Sequence, residues 1–353
     1  MALLAIFEND VEITARSGSL VLLKRGTPFQ TLAAHEVDEV HLHGGADLTT
    51  AGRNFLLARG IDVVFLTLDG RVRGRLVGEE SAWADRRVSQ YKVVADEALR
   101  LPIAKAIIGG KIQNQIELIA ARQRYLRLDS VASALLILRG QRERAATAVN
   151  LEKLRGCEGF CANIYFGVFG DLLTNEAFLW NGRNRRPPRD PVNAALSFGY
   201  TLLSSRVEHA VRKAGLDPYL GVLHETGRGA PALALDLMEE FRPVVDGLIL
   251  NLVNRKQLGP EDFGPPDAET LAENDPLAEI INAEGPGGAV YLSDLGRKIL
   301  TRAWALRLHD RSPHPMDGAD WTLSGLIGQQ AQQVRRVFEA DPAGSVPYKP
   351  ARF

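Results

Sequence analysis

An α+β fold is predicted, with a mainly β N-terminal domain that holds one helix and a larger all-α C-terminal domain. Three observations predict it. Short apolar or alternating runs separated by glycine-rich turns fill the first eighty residues, as strands do. From about Ala82 onward the pattern changes to helical periodicity. At 353 residues and 45% hydrophobic content the chain is long enough to bury two cores.

Taken in order, Val11-Glu12-Ile13, Leu20 to Leu23, Val37 to Leu42 and Val63 to Leu66 read as strands, separated by turns such as Gly44-Gly45 and Asp69-Gly70. One helix, roughly Thr49 to Arg59, interrupts them. The change of period places a boundary near Gly78 to Ser81, giving a β domain of 1–80 and a helical domain of 81–353. Helical periodicity then runs over Val88 to Ile108, Lys111 to Arg127, Val131 to Val149 and Asn193 to Ala214. Asn181 to Val192 is a basic, proline-containing loop, and Glu261 to Glu284 is a polar insertion. Leu292 to Leu308 and Leu323 to Ala340 read as closing helices, and the Pro/Gly-containing tail 341–353 is expected to be loosely ordered.

Composition excludes several classes. No apolar run approaches the ~18 residues of a membrane span. The apolar start Met1 to Phe7 lacks a basic lead and meets Glu8 to Asp10 at once, so no signal peptide is indicated and the cytoplasm is expected. Two cysteines, Cys157 and Cys161, are too few for a disulfide framework or a thiolate zinc site; they are read as reduced and buried. Net charge is −1, yet residues 91–190 carry 16 Lys+Arg against 10 Asp+Glu. That excess suits a nucleic-acid surface, although a pI near 6.7 falls short of a dedicated binder and solvated helix faces explain it equally well.

The residues with chemistry cluster late. In LGVLHETGRGAPALALDLMEEF, His224 ends an apolar run, a Gly/Pro turn follows, and Asp236 and Glu239 lie three apart on a helix, sharing one face. Three polar groups so placed are costly to keep unpaired and natural to keep around a divalent cation. The bland alternative is a core-edge histidine and an exposed acidic stripe with Glu240. Glu158, in GCEGFCANIYFGVF, is a third candidate carboxylate beside a buried helix face.

The stretches GCEGFCANIYFGVF, RNRRPPRDPVNAALSFGYTLL and LHETGRGAPALALDLMEEFRP, followed by LILNLVNRKQL and EDF, resemble the successive signatures of CRISPR-associated protein one, the integrase and endonuclease of CRISPR adaptation. VDEVHLHGGADLTTAGRNFLLARGIDVVFLTLDGRVRGRLVG in the N-terminal part resembles that family too. The resemblance implies an N-terminal β domain that forms the homodimer contact and a helical domain that holds the active site. It places the metal-binding glutamate on Glu158, the histidine on His224 and the pair of acidic metal ligands on Asp236 and Glu239. The family often has serine where Ala232 stands, which leaves open where the helix carrying the pair begins.

Oxygen ligands with one imidazole favour Mn²⁺ or Mg²⁺ over zinc, and His224 is open to a second role as acid or base. Arg242, three residues beyond Glu239, is placed to grip a phosphate; the alternative is an arginine that closes the helix before Pro243. Arg255 with Lys256, and Arg183, Arg185, Arg186 and Arg189 in the basic loop, are candidate DNA contacts or merely a soluble surface. Arg71, Arg73 and Arg75 alternate, so on a strand they share a face that tracks DNA or guards a sheet edge. His41 and His43 share a strand face as well, without an acidic or cysteine partner at metal-site spacing.

These readings together give a metal-dependent DNA integrase that joins the 3′-hydroxyl ends of a short double-stranded DNA to a repeat array, as a homodimer around the small CRISPR-associated protein two. The rivals are a structure-specific metal-dependent nuclease acting on branched DNA and a non-catalytic DNA-binding scaffold. A scaffold needs the arginines but has no use for carboxylates facing a polyanion.

Overall fold

Hairpin chemistry opens the chain. β1 (Ala2–Ile6) is followed by a meander of β2 (Val11–Arg16), β3 (Ser19–Lys24) and β4 (Thr27–Ala33). Ser17-Gly18 and Arg25-Gly26 make its two turns, all four residues at positive φ of 49°, 78°, 50° and 79°. Two successive left-handed residues are what a tight hairpin needs for its twist to match the strands. β5 (Val37–His43), β6 (Asp47–Leu48), α1 (Thr50–Ala58), β7 (Asp62–Leu66) and β8 (Val72–Leu76) complete the strand-rich region. The computed structural model describes all residues except 1, 68–69, 71, 79–82, 185–186, 226–228, 266–287, 314–317 and 341–346.

The eight strands form two four-stranded sheets, ordered β1-β5-β7-β8 and β4-β3-β2-β6. β1, β5 and β7 run parallel, with β8 antiparallel at the edge. One core, including Ile13, Leu20, Leu22, Val40, Leu42, Leu56 and Val63, unites both sheets with α1. Each such side chain contributes about 1.5–3 kcal/mol on burial. Thr49 caps α1 by accepting from the Gly52 amide at 3.0 Å. Gly52 itself is required, because a Cβ there would lie 2.5 Å from the Ile13 carbonyl oxygen.

The helical region comprises α2 (Ala84–Ala95), α3 (Glu97–Leu126), α4 (Asp129–Ala146), α5 (Leu151–Gly167), α6 (Pro191–Lys213), α7 (Ala232–Met238) and α8 (Arg242–Asn254). Two short ribbons interrupt what was expected to be all-α: β9 (Phe263–Gly264) with β10 (Tyr291–Leu292), and β11 (Arg311–Pro313) with β12 (Asp320–Thr322). α9 (Asp294–Arg307) and α10 (Leu323–Glu339) are the last helices. Nearly all of the predicted polar insertion, from 266 on, lies outside the described residues. No helix among those described is long and apolar enough to cross a membrane. The chain divides into two compact units, one of 1–81, 186–201 and 261–305 and the other of 82–185, 202–260 and 306–353.

Two boundaries differ from expectation, both on α3. The helix read as Val88 to Ile108 is cut at Asp96, whose side chain accepts from the Ala98 amide at 2.8 Å and so starts a new helix. The segments read separately as ending at Ile108 and starting at Lys111 are continuous through Gly109-Gly110. A Cβ on Gly110 would stand 2.3 Å from Pro350 Cβ, so the glycine is there to admit the C-terminal tail.

That tail corrects a further expectation. Residues 341–346 are outside the described set, but 347–353 are packed rather than loose, with Tyr348 and Ala351 buried. Tyr348 Oη and the Ala351 amide donate to the two carboxylate oxygens of Glu240, and Gln330 Nε2 donates to Glu240 Oε2 at 3.0 Å. Asn114 Nδ2, on α3, bridges the Glu240 and Ala351 carbonyls at 2.8 and 3.0 Å. A buried carboxyl group demands hydrogen-bond partners, and the tail supplies two of them.

Candidate active site

The second unit brings α3, α5, the 221–225 loop and the α7–α8 junction together around buried charge. On α5, Asn150 caps the helix by accepting from the Lys153 amide at 2.9 Å. Leu151, Leu154, Cys161 and Tyr165 form its buried face, which leaves Glu158 half-buried beside them. Cys161 is buried and Cys157 only half-buried, and both are free thiols; burial pushes the Cys161 thiol up to about 12.

Asp236, on α7, is fully buried. Its Oδ2 accepts from the amides of Val222 at 2.5 Å and Leu223 at 3.0 Å, and its Oδ1 from the His224 amide at 2.9 Å. Three successive amides make an anion nest. Gly221 opens it, since a Cβ there would lie 2.5 Å from Asp236 Oδ2. His224 Nδ1 stands 2.7 Å from Asp236 Oδ1. Burial would lower the imidazole pKa, but the hydrogen bond and charge of Asp236 outweigh it and the value is raised. Arg155, one turn before Glu158 on α5, ties the loop down by donating to the Leu223 carbonyl at 2.6 Å and to Glu225 at 2.9 Å.

α7 begins at Ala232 without a side-chain cap and ends at Met238; Glu239 to Phe241 form a tight turn and α8 starts at Arg242. The alternative that Arg242 closes a helix is therefore not met. Pro243 lies in the first turn of α8, where a missing N–H costs nothing. Arg242 Nε instead donates to Glu239 Oε1 at 2.8 Å.

The residue that sequence reasoning missed is Lys111 of α3, whose side chain is 7% exposed. Its ammonium pairs with Glu158 and lies 2.6 Å from Glu239 Oε2. Burial alone would lower its pKa, yet Glu239 and Glu158 reverse the sign and raise it. Burial would likewise raise Glu239, but Arg242 and Lys111 hold it down to about 2. The available signal was position. Lys111 falls on the same buried stripe as Ile107, Ile108 and Gln115, where a solvated lysine has no place.

Glu158 and Glu239 thus converge on one buried positive charge, and His224 is oriented through Nδ1, which leaves Nε2 as its remaining donor atom. Asp236, expected as a further ligand, has both oxygens engaged by three amides and the imidazole, so two carboxylates and His224 Nε2 remain as a donor set that suits a hard or borderline divalent cation. Among the described residues no three His, Cys, Asp or Glu side chains form a ready-made ligand group, the ammonium standing between the two glutamates.

The candidate DNA contacts are less concentrated. Arg255 and Lys256 are exposed at the end of α8, and Arg189 is exposed in its loop. Arg183 is half-buried and donates to the Asn184 carbonyl. Arg185, Arg186 and Arg71 lie outside the described residues. Arg73 is exposed on the edge strand β8, whereas Arg75 faces inward, 3.7 Å from buried Glu39. His41 and His43 are buried; His41 Nε2 lies 3.3 Å from Glu39, and His43 stacks on Phe7 at 4.2 Å with its pKa pushed down to about 3 by burial. These are core histidines.

Comparison with known proteins places the chain. Residues 4–306 match the family described as CRISPR associated protein Cas1. CRISPR-associated endonuclease Cas1 1 of Thermus thermophilus is 38% identical over 333 residues, covering 94% of both chains. CRISPR-associated endonuclease Cas1 2 of Rhodospirillum rubrum is 37% identical over 318 residues, 87% of this chain and 86% of that one. Among solved structures, a CAS1 protein from Thermotoga maritima superposes with a TM-score of 0.76 at 23% identity, over 97% of this chain and 98% of its own. A casposase bound to integration product gives a TM-score of 0.76 at 20% identity, over 96% of this chain and 90% of its own. The last two are likenesses of fold. The chain belongs to the Cas1 family.

Proposed function

We propose that this chain is a metal-dependent DNA integrase and endonuclease of CRISPR adaptation, joining the 3′-hydroxyl ends of a short double-stranded DNA to the repeat array by transesterification in the cytoplasm. One observation carries the reading: Glu158 and Glu239 meet at a single buried positive charge beside an imidazole that Asp236 orients. The relatives named CRISPR-associated endonuclease and the fold shared with a casposase support it. Residues 81–353 are the catalytic part and 1–80 the homodimer contact. A further structural likeness, to a Cas6-RT-Cas1--Cas2 complex at TM-score 0.77 and 24% identity, supports the small Cas2 protein as partner.

Glu158, Glu239 and His224 Nε2 would hold Mn²⁺ or Mg²⁺, which when bound stabilises the charge on the scissile phosphate and its attacking and leaving oxygens. Asp236 fixes the imidazole through Nδ1 and stays on its amide nest. Arg242, anchored by Glu239 beside the proposed ligands, contributes positive charge toward a phosphate oxygen. Arg255, Lys256, Arg183, Arg189 and Arg73 contribute backbone charge. Holding a 3′-hydroxyl against the phosphate gives it a large effective-concentration advantage over water, so joining outruns hydrolysis.

The test supplies a 3′-hydroxyl duplex and a supercoiled plasmid that carries a repeat, with and without the small partner. A covalent join that disappears when the 3′ end is dideoxy-terminated supports the integrase. Nicked or fragmented plasmid without any join would leave the structure-specific nuclease reading in its place.

A further inference from the structure

We propose that Lys111 is a built-in counter-ion: its ammonium holds the place between Glu158 and Glu239 in the metal-free protein and is displaced when a divalent cation enters. The proposal rests on the metal-dependent reading above. A lysine loses rotamer freedom when fixed, and burial disfavours its charge, so a buried lysine persists only where compensation is close. Lys111 has that compensation from both glutamates of the proposed ligand set. It has none from Glu240, one residue further on, which is satisfied by Tyr348, Gln330 and Ala351. An ammonium that served only to fix α3 to α5 would need Glu158 alone.

Charge arithmetic gives the consequence. Glu158 and Glu239 carry two negative charges, and Lys111 and Arg242 carry two positive ones, so these four ion-paired groups sum to zero beside the separate Asp236–His224 pair. A divalent ion added to a neutral cluster meets an ammonium only a few ångströms away, a repulsion that the part-buried setting enlarges over bulk water. Removing Lys111 leaves a cluster of net charge −1 that attracts the ion. The same removal leaves two carboxylates short of a counter-charge, which destabilises the metal-free fold and not the loaded one. Lys111 therefore sets a threshold: it keeps the site assembled without metal and weakens metal binding.

The experiment compares the full-length wild type with Lys111→Met, Lys111→Gln and Lys111→Arg, measuring Mn²⁺ affinity by electron paramagnetic resonance of free Mn²⁺ and melting temperature with and without Mn²⁺. Lys111→Met should bind Mn²⁺ at least tenfold more tightly than wild type. It should melt lower without metal and gain more from Mn²⁺. Lys111→Arg, which keeps the charge, should bind within threefold of wild type. If Lys111→Met folds only in Mn²⁺, the ion has replaced the ammonium and the proposal stands. If it folds in neither condition, Lys111→Gln, similar in length and still hydrogen-bonding, gives the same constant. A wild type that binds Mn²⁺ beside a Lys111→Met or Lys111→Gln variant that binds it no more tightly overturns the proposal alone. No binding by any of them removes the metal reading and the proposal with it.

Discussion

Glu239 and Glu240 are consecutive, equally buried and in opposite electrostatic states. Glu239 faces Lys111 and Arg242, and although burial works against it these two cations hold its pKa down to about 2. Glu240 turns the other way, onto the C-terminal tail, where burial raises it to about 8 against the opposing hydrogen bonds of Tyr348, Ala351 and Gln330. Burial is common to both, so burial does not decide their charge. What decides it is whether the compensating partners are cations or neutral donors. One face of the turn is therefore charged and suited to chemistry, and the other is neutral and suited to holding the turn still.

The largest expected effect lies on the charged face. Glu239→Ala removes a proposed ligand and the anchor of Arg242 together, and DNA joining in Mn²⁺ should fall by roughly 10³-fold, on the scale of losing a main transition-state contact. Full joining by this variant in Mn²⁺-supplemented buffer would reassign the site. Glu240→Ala should do the reverse. It orphans donors on Tyr348, Gln330 and Ala351, so the cost falls on stability, about 3 kcal/mol by urea unfolding, at ~1–3 kcal/mol for each group left unpaired. Glu240→Gln keeps the acceptor oxygen and should lose about 1 kcal/mol or less. If Glu240→Ala unfolds like wild type, the tail is not seated on this glutamate.

A third buried carboxylate sharpens the contrast. Asp236 is satisfied by three amides and one imidazole, so it should act through His224. Asp236→Asn keeps the shape while weakening the hold on Nδ1, and Mn²⁺ affinity should drop by about 10- to 100-fold, as loss of an orienting partner does elsewhere. A loss as large as that of Glu239→Ala would instead make Asp236 a direct ligand.

Legibility in the sequence followed the same division between periodic and non-local causes. β2, β3, β5, β7 and α1 stood out because their apolar residues face a shared core. β4 did not, since it is exposed along most of its length and carries no alternation. His224, Asp236 and Glu239 stood out because a short polar motif interrupts apolar runs, and the family resemblance added Glu158 to them. Lys111 and the packed tail did not, since each is explained by residues far away in sequence: 47 positions to Glu158 for the lysine and 111 from Glu240 to Ala351 for the tail. Gly110 shows the limit well. It falls in the gap between two separately read helical segments, and its role shows only when Pro350 is seen against it.

The smallest effect is a difference in pH dependence, and its sign separates the two glutamates. Glu239 is lowered from 4.5 to about 2, so its contribution to stability is present above 4.5 and is lost as pH falls through about 2. Glu240 is raised from 4.5 to about 8, so its contribution is fully present below 4.5 and is lost as pH rises through about 8. Wild type should therefore lose stability between pH 5 and 8.5, at no more than about 1.4 kcal/mol per pH unit from this one group. Glu240→Gln has no such proton to release, and its stability should fall less over that window. His224, whose pKa is also raised, contributes a decline in the same range, but it is present in both proteins and cancels in the difference. On the acid side the two proteins should decline together, because Glu239 is intact in each. Urea unfolding at pH 3, 5, 7 and 8.5 measures both limbs. Parallel curves from 5 to 8.5 would mean that Glu240 is charged in its buried niche and that neutral donors suffice to keep it so, which would undo the contrast with its neighbour.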